Sequence, residues 1–207
     1  MTMNPNLDKI GLKYGTDKAS NGHDYLKVYE QIMPVYAPVQ LLEIGWFDGA
    51  SMKTWREYLH PESVIVGVDI DDKDPIEGVQ FHQVNATTPR LLEEVGHYGK
   101  FDFIIDDGSH LSPDVVQTLL LLWPDVVPGG YYIVEDLHVS YHPDWKGWDP
   151  TRPTRGRING QPSMEFLKTL VDSVHYQHAG AGPSKAVFTD IASVAFYPGL
   201  AILRKKP

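Results

Sequence analysis

The chain has 207 residues, enough for one substantial core and short for two, so a single domain is expected. A composition of 42% hydrophobic and 22% charged residues excludes a disordered or fibrous chain, and a net charge of −9 argues against a nucleic-acid partner, which calls for a basic face. The absence of cysteine excludes disulfides, thiolate metal sites and a catalytic thiol.

In chain order, residues 1–38 read as helical and rich in tyrosine (Tyr14, Tyr25, Tyr29 and Tyr36). The opening MTMNPNLDKIGLKYG lacks the apolar core of a signal peptide, and no run approaches the roughly 18 apolar residues of a membrane span. A cytoplasmic protein without a membrane partner is therefore expected. From there on, short apolar runs alternate with helical segments. Strands are expected over 39–44, 64–70, 79–84, 101–105 and 130–134, and helices over 51–59, 89–95, 113–122 and 163–176. Continuous apolar strands divided by helices imply a doubly wound, mostly parallel sheet covered on both faces. The end departs from the alternation: IASVAFY (191–197), Pro198-Gly199 and LAILR (200–204) read as an antiparallel hairpin. Residues 139–162, with Trp145, Trp148, Arg152, Arg155 and Arg157, form a long segment of the kind used as a functional lid and are expected on the substrate side.

Ligands of open α/β sheets bind beyond the carboxyl ends of the strands. The turn LLEIGWFDGAS (41–51) stands at such an end and reads Glu-x-Gly-x-x-x-Gly, from Glu43 through Gly45 to Gly49. Trp46 and Phe47 occupy the place where a dinucleotide fold needs a second glycine, which disfavours a pyrophosphate and hence NAD. The next strand ends at Asp69, where a carboxylate can take both hydroxyls of a ribose. The acidic glycine turn, the acid ending the second strand and the terminal hairpin together resemble the class I, Rossmann-like methyltransferases that use S-adenosyl-L-methionine. On that resemblance Glu43, Gly45 and Ser51 serve the amino-acid end of the cofactor, Asp69 holds the ribose, and Asn85 and Ala86 lie by the adenine.

Two strand ends further on carry acids: FDFIIDDGSH ends with Asp106, Asp107 and His110, and GGYYIVEDLH with Glu135, Asp136 and His138. Four carboxylates converging at one rim would repel one another without a cation. Oxygen ligands favour a hard ion such as Mg²⁺, and a two-histidine iron site through His110 and His138 is the alternative. Either Asp106 or Asp107 can face such an ion, and Asp106 is the one suited to capping the helix that follows.

The motifs IDDGSH, VPGGYYIVEDLH and YGTDKASNGHDYLKVYE, taken together, resemble the metal-dependent sugar O-methyltransferases typified by the macrocin and mycinamicin enzymes, whose relatives act on rhamnosyl groups and methylated mannose oligosaccharides. The resemblance implies Asp107, Glu135 and Asp136 as metal ligands, with Asp107 also beside the cofactor, and His110 as general base, His138 being its rival. It places Tyr14, Thr16 and Lys18 over the cofactor, and has Asn85 where an aspartate is expected. What it implies is a Mg²⁺-dependent methyl transfer to a hydroxyl of a mannose- or rhamnose-type glycoside or oligosaccharide; a homodimer is expected as the commonest assembly of such a domain. A catechol acceptor, an iron and oxygen-dependent hydroxylase and a non-catalytic cofactor-binding protein are the competing expectations.

Overall fold

The computed structural model describes residues 6–141, 163–175 and 187–207. The chain divides into two compact units, 1–101 and 102–207. In the first, α1 (Leu7–Tyr14) begins where the Asn6 side chain accepts the Lys9 N–H at 2.7 Å and ends at Gly15, whose φ of 78° no β-carbon opposes. Its apolar stripe, Leu7 and Ile10, is buried. The expectation of a helical opening holds for α1 and for α2 (Leu26–Ile32), but the residues between them form turns. Asp24 stands there with a left-handed φ of 58°.

Three strands follow: β1 (Gln40–Ile44), β2 (Val64–Asp69) and β3 (Gln80–Gln83), with α3 (Ala50–Tyr58) and α4 (Arg90–Val95) after the first and third. β1 pairs parallel with β2, and β2 parallel with β3. Leu41 and Leu42 are both fully buried, so β1 is covered on both faces, and each such side chain stabilises the fold by roughly 1.5–3 kcal/mol. Gly67 in β2 is a close-approach position: a β-carbon there would lie 2.5 Å from Cε3 of Trp46, so the buried indole lies directly on the strand. Phe81 of β3 meets the same indole edge-on, with ring centroids 5.0 Å apart.

The second unit contains nearly all of β4 (Phe101–Asp106), then α5 (Ser112–Leu122), β5 (Val126–Val134), α6 (Ser163–His175), β6 (Ile191–Tyr197) and β7 (Leu200–Lys205). Strand order within it is β4-β5-β7-β6. The antiparallel ending is as expected: β7 pairs antiparallel with both β5 and β6, and Tyr197 faces Leu200 across Pro198-Gly199, with Gly199 at φ 74°. β5 begins four residues earlier than expected, at Val126 rather than residue 130. Pro128-Gly129-Gly130 reads as a breaker, yet the Gly129 N–H donates to the Lys206 carbonyl at 3.2 Å and carries the strand through. α6 is anchored where the Ser163 N–H donates to Ser112 Oγ at 2.7 Å. Among the described residues no helix is long and apolar enough to cross a membrane. From residue 142 to 162 the expected substrate-side segment, with its two tryptophans and three arginines, lies outside the described residues.

Candidate functional site

The glycine turn leaves β1 through Gly45, whose φ is 94° and whose N–H donates to the Val68 carbonyl at 2.9 Å, extending the pairing with β2 by one residue. Asp69 ends β2 and closes the turn from the other side. Its Oδ2 accepts the backbone N–H of Trp46 at 2.9 Å and, more weakly, that of Phe47 at 3.4 Å, its Oδ1 accepts the Asp71 N–H at 3.0 Å, and Lys73 Nζ stands 3.4 Å away. Phe47 takes the left-handed conformation at φ 49° and is 87% exposed, an unusual place for an aromatic ring. The Asp48 carboxylate accepts the Ala50 N–H at 2.9 Å and starts α3.

Glu43 lies beneath this turn at 0% exposure. Its Oε1 accepts the Ser51 hydroxyl at 2.7 Å and faces Lys18 Nζ at 3.6 Å, while its Oε2 accepts the Trp55 indole N–H. A buried pair of this kind adds little net stability while intact, but removing one partner leaves an uncompensated charge at about 3–5 kcal/mol. Thr16 is buried nearby in the chain, its hydroxyl oxygen 3.4 Å from the Lys18 N–H. Tyr14 points its hydroxyl to Glu57, donating at 2.6 Å, in a surface set that includes Lys13. The bond from Lys13 is the main reason the Glu57 carboxyl is held below its usual range. Asn85 is exposed and its side-chain oxygen accepts both the N–H of Thr87 at 3.0 Å and its hydroxyl at 2.8 Å; Ala86 is buried. Trp55 and Lys73 did not stand out in the sequence. Lys73 follows Asp69 by one helical-length step, a signal too common to single it out.

In the second unit the side chains of Asp107, His110 and Asp136 come together: each offers a ligand atom, and these atoms all lie within 4.8 Å of one another. His110 Nε2 is 3.6 Å from Asp136 Oδ2, and His138 Nδ1 is 4.0 Å from Asp136 Oδ1. His110 and Asp136 both have left-handed backbone, φ 56° and 54°, so with Phe47 and Asp24 they make up the non-glycine residues of that kind among those described. Such backbone costs of order 1–3 kcal/mol per residue and persists where the surroundings enforce it, which is characteristic of sites that bind or react. Glu135 is buried at the end of β5, its N–H donating to the Asp106 carbonyl at 3.0 Å, and stands outside the three-residue group.

Between Asp106 and Asp107 the structure selects Asp107 for the cluster. Asp106, the last residue of β4, turns the other way and is buried: its Oδ2 accepts the Thr118 hydroxyl and, at 3.2 Å, that of Tyr132. It does not cap the start of α5 as expected, because Thr118 lies well inside that helix. Burial pushes the Asp106 carboxyl up to about 6, against the opposing effect of the Thr118 bond, and burial also raises the Tyr132 phenol well above its ordinary value. At the start of α5 Ser109 donates to Asp114 at 2.6 Å instead.

No family model matches the chain. Among curated proteins it is 34% identical over 219 residues to 8-demethyl-8-alpha-L-rhamnosyl tetracenomycin-C 2'-O-methyltransferase of Streptomyces olivaceus, covering 98% of this chain and 55% of that protein. It is 32% identical to L-olivosyl-oleandolide 3-O-methyltransferase of Streptomyces antibioticus, covering 88% of this chain and 49% of that one. Among solved structures, the MycE methyltransferase of the mycinamycin pathway, in complex with Mg, SAH and mycinamycin VI, matches with a TM-score of 0.82 and 28% identity over 99% of this chain and 54% of its own. The fold is that of the class I methyltransferases. The chain spans about half the length of the curated relatives it matches.

Proposed function

We propose that this chain, a homologue of sugar O-methyltransferases, moves a methyl group from S-adenosylmethionine to a hydroxyl of a mannose- or rhamnose-type glycoside or oligosaccharide, with a Mg²⁺ ion at Asp107 and Asp136. The observation that carries the reading is the gathering of Asp107, His110 and Asp136 within 4.8 Å. Two carboxylates at that spacing repel one another, and a divalent cation is what relieves them. Glu135 is the third ligand on the sequence resemblance.

When bound, the ion supplies a Lewis acid that directs the acceptor hydroxyl and lowers its pKa. His110 takes the hydroxyl proton at its imidazole, and Asp136 at 3.6 Å steadies the imidazolium that results. A bound donor would supply the methyl group, the new O–CH3 bond forming as the sulfonium S–CH3 bond breaks and S-adenosylhomocysteine leaves. Gly45 lets backbone approach the amino-acid end of the donor, and Asp69 offers its carboxylate to the ribose, exchanging its bonds to the turn amides in part for the two hydroxyls. On the sequence resemblance Tyr14, Thr16, Glu43, Ser51, Asn85 and Ala86 complete the donor side, with Lys18 behind Glu43 at 3.6 Å. A cytoplasmic homodimer completes the proposal, two-fold dimers being the commonest assembly.

A second reading is favoured by the mixed donor set: an imidazole with two carboxylates also suits iron, and a hydroxylase would then use His110 as ligand rather than base. Calorimetric titration of the metal-stripped protein with S-adenosylmethionine and with NAD, each with and without Mg²⁺ and a rhamnoside, tests the first reading. Binding of S-adenosylmethionine, with acceptor binding only in Mg²⁺, is expected. Failure to bind S-adenosylmethionine would sink it, and turnover only with iron and oxygen would select the second.

A further inference from the structure

Lys18 is 1% exposed, although it belongs to the turns between α1 and α2 rather than to a packed element. Burying an ammonium there requires a counter-charge, and Glu43 Oε1 provides it at 3.6 Å. The same carboxylate holds the first turn of α3 through the Ser51 hydroxyl at 2.7 Å and holds α3 again through the Trp55 indole. Trp55 also packs against Tyr29 of α2, with ring centroids 5.2 Å apart. The backbone of Lys18 is engaged too: its carbonyl accepts the Leu26 N–H at 3.0 Å, at the start of α2. Around it the segment is knotted by the His23 N–H to the Asp17 carbonyl at 2.6 Å and the Asp24 N–H to the Ala19 carbonyl at 3.0 Å.

We propose that Lys18 is a positioning residue: its buried ammonium clamps the segment 15–25 to Glu43 at the base of the glycine turn, so that methyl-donor binding and order in that segment depend on one another. This rests on the methyl-donor reading of the turn. Lys18 acts through Glu43 and Ser51 rather than by touching the donor. With the ammonium removed, the buried carboxylate keeps the Ser51 and Trp55 donors but loses its counter-charge, and this weakens its hold on α3 against β1. The turn between them is then held less firmly, by Asp69 and its own backbone bonds.

The test uses the full chain, metal-free, with S-adenosylmethionine as probe. Calorimetry on wild type, Lys18→Met, Glu43→Gln and the double variant is expected to give donor affinities weakened roughly 5- to 150-fold in each single variant, the usual range for coupled sites. The double variant should lose no more than the worse single one, since both changes break the same link. Wild-type affinity in Lys18→Met, or losses that add in the double variant, would overturn the proposal while leaving the methyl-donor reading intact. A wild type that does not bind removes both. A measurement without any variant guards against a Lys18→Met protein that does not fold: hydrogen exchange at His23, Asp24 and Leu26 must slow when the donor is added to wild type, and unchanged exchange overturns the clamp.

Discussion

In the first unit the acids Glu43 and Asp69 are enclosed by donors of their own surroundings, namely the Ser51 hydroxyl, the Trp55 indole, the Lys18 ammonium, the Trp46 and Phe47 amides and Lys73. In the second, Asp107 and Asp136 gather with the His110 imidazole, all within 4.8 Å, on backbone that is left-handed at His110 and Asp136. The difference separates two uses of negative charge. Compensated acids hold a loop in shape before any ligand arrives, whereas clustered acids are the arrangement that the proposed cation would relieve. Breaking the first arrangement is costly because it strands a buried charge, whereas the second draws on stability through its left-handed backbone.

The largest expected effect lies in the second unit. His110→Ala should lower the methyl-transfer kcat by about 10²–10⁴, the usual contribution of a general base, and leave S-adenosylmethionine affinity unchanged in calorimetry. Loss of Mg²⁺ affinity in that variant would instead make His110 a ligand. Next is the ion itself. At about a hundredfold excess over its Kd, Mg²⁺ should stabilise wild type by roughly 2.7 kcal/mol, and Asp107→Asn should abolish the corresponding rise in Tm. A rise that survives in the variant would place the ion elsewhere.

In the first unit, Gly67→Ala sets a methyl group 2.5 Å from the Trp46 ring and should cost about 1–3 kcal/mol in denaturant unfolding while the Mg²⁺-dependent rise in Tm persists. Loss of that rise would mean the two regions are not independent. The smallest effect is on alkaline stability. Burial first, then the charges of Glu30 and Tyr36, push the Tyr58 phenol up to about 12. A phenol raised above its unfolded value of about 10 contributes stability that is complete below that pH and is lost as pH rises through about 12. Tyr58→Phe should therefore flatten the fall in Tm over that window by a few degrees, and an unchanged slope would refute the assignment.

Much of this was legible in the sequence because it depends on local pattern. Alternation of apolar runs and helical segments placed the strands within a residue or two, and the Pro-Gly turn marked the hairpin. β5 was read short because Pro128-Gly129-Gly130 looks like a stop, and only pairing with β7 shows that the strand continues through it. Glu43 and Ser51 were assigned to the cofactor by their place in the turn, yet the bonds they make are to one another, a fact carried by packing of α3 on β1 rather than by spacing.

The sequence by itself determined the class of fold, the glycine turn, the acid at the end of β2 and the two acidic strand ends, since each is written in a few consecutive residues. Tertiary structure alone decided which acids meet. Asp106 ends β4 and turns to Thr118 and Tyr132, while Asp107, the first residue beyond the strand, joins His110 and Asp136. It also brought Lys18 to Glu43, because a buried carboxylate takes the cation that the folded chain carries to it, whatever their separation in sequence.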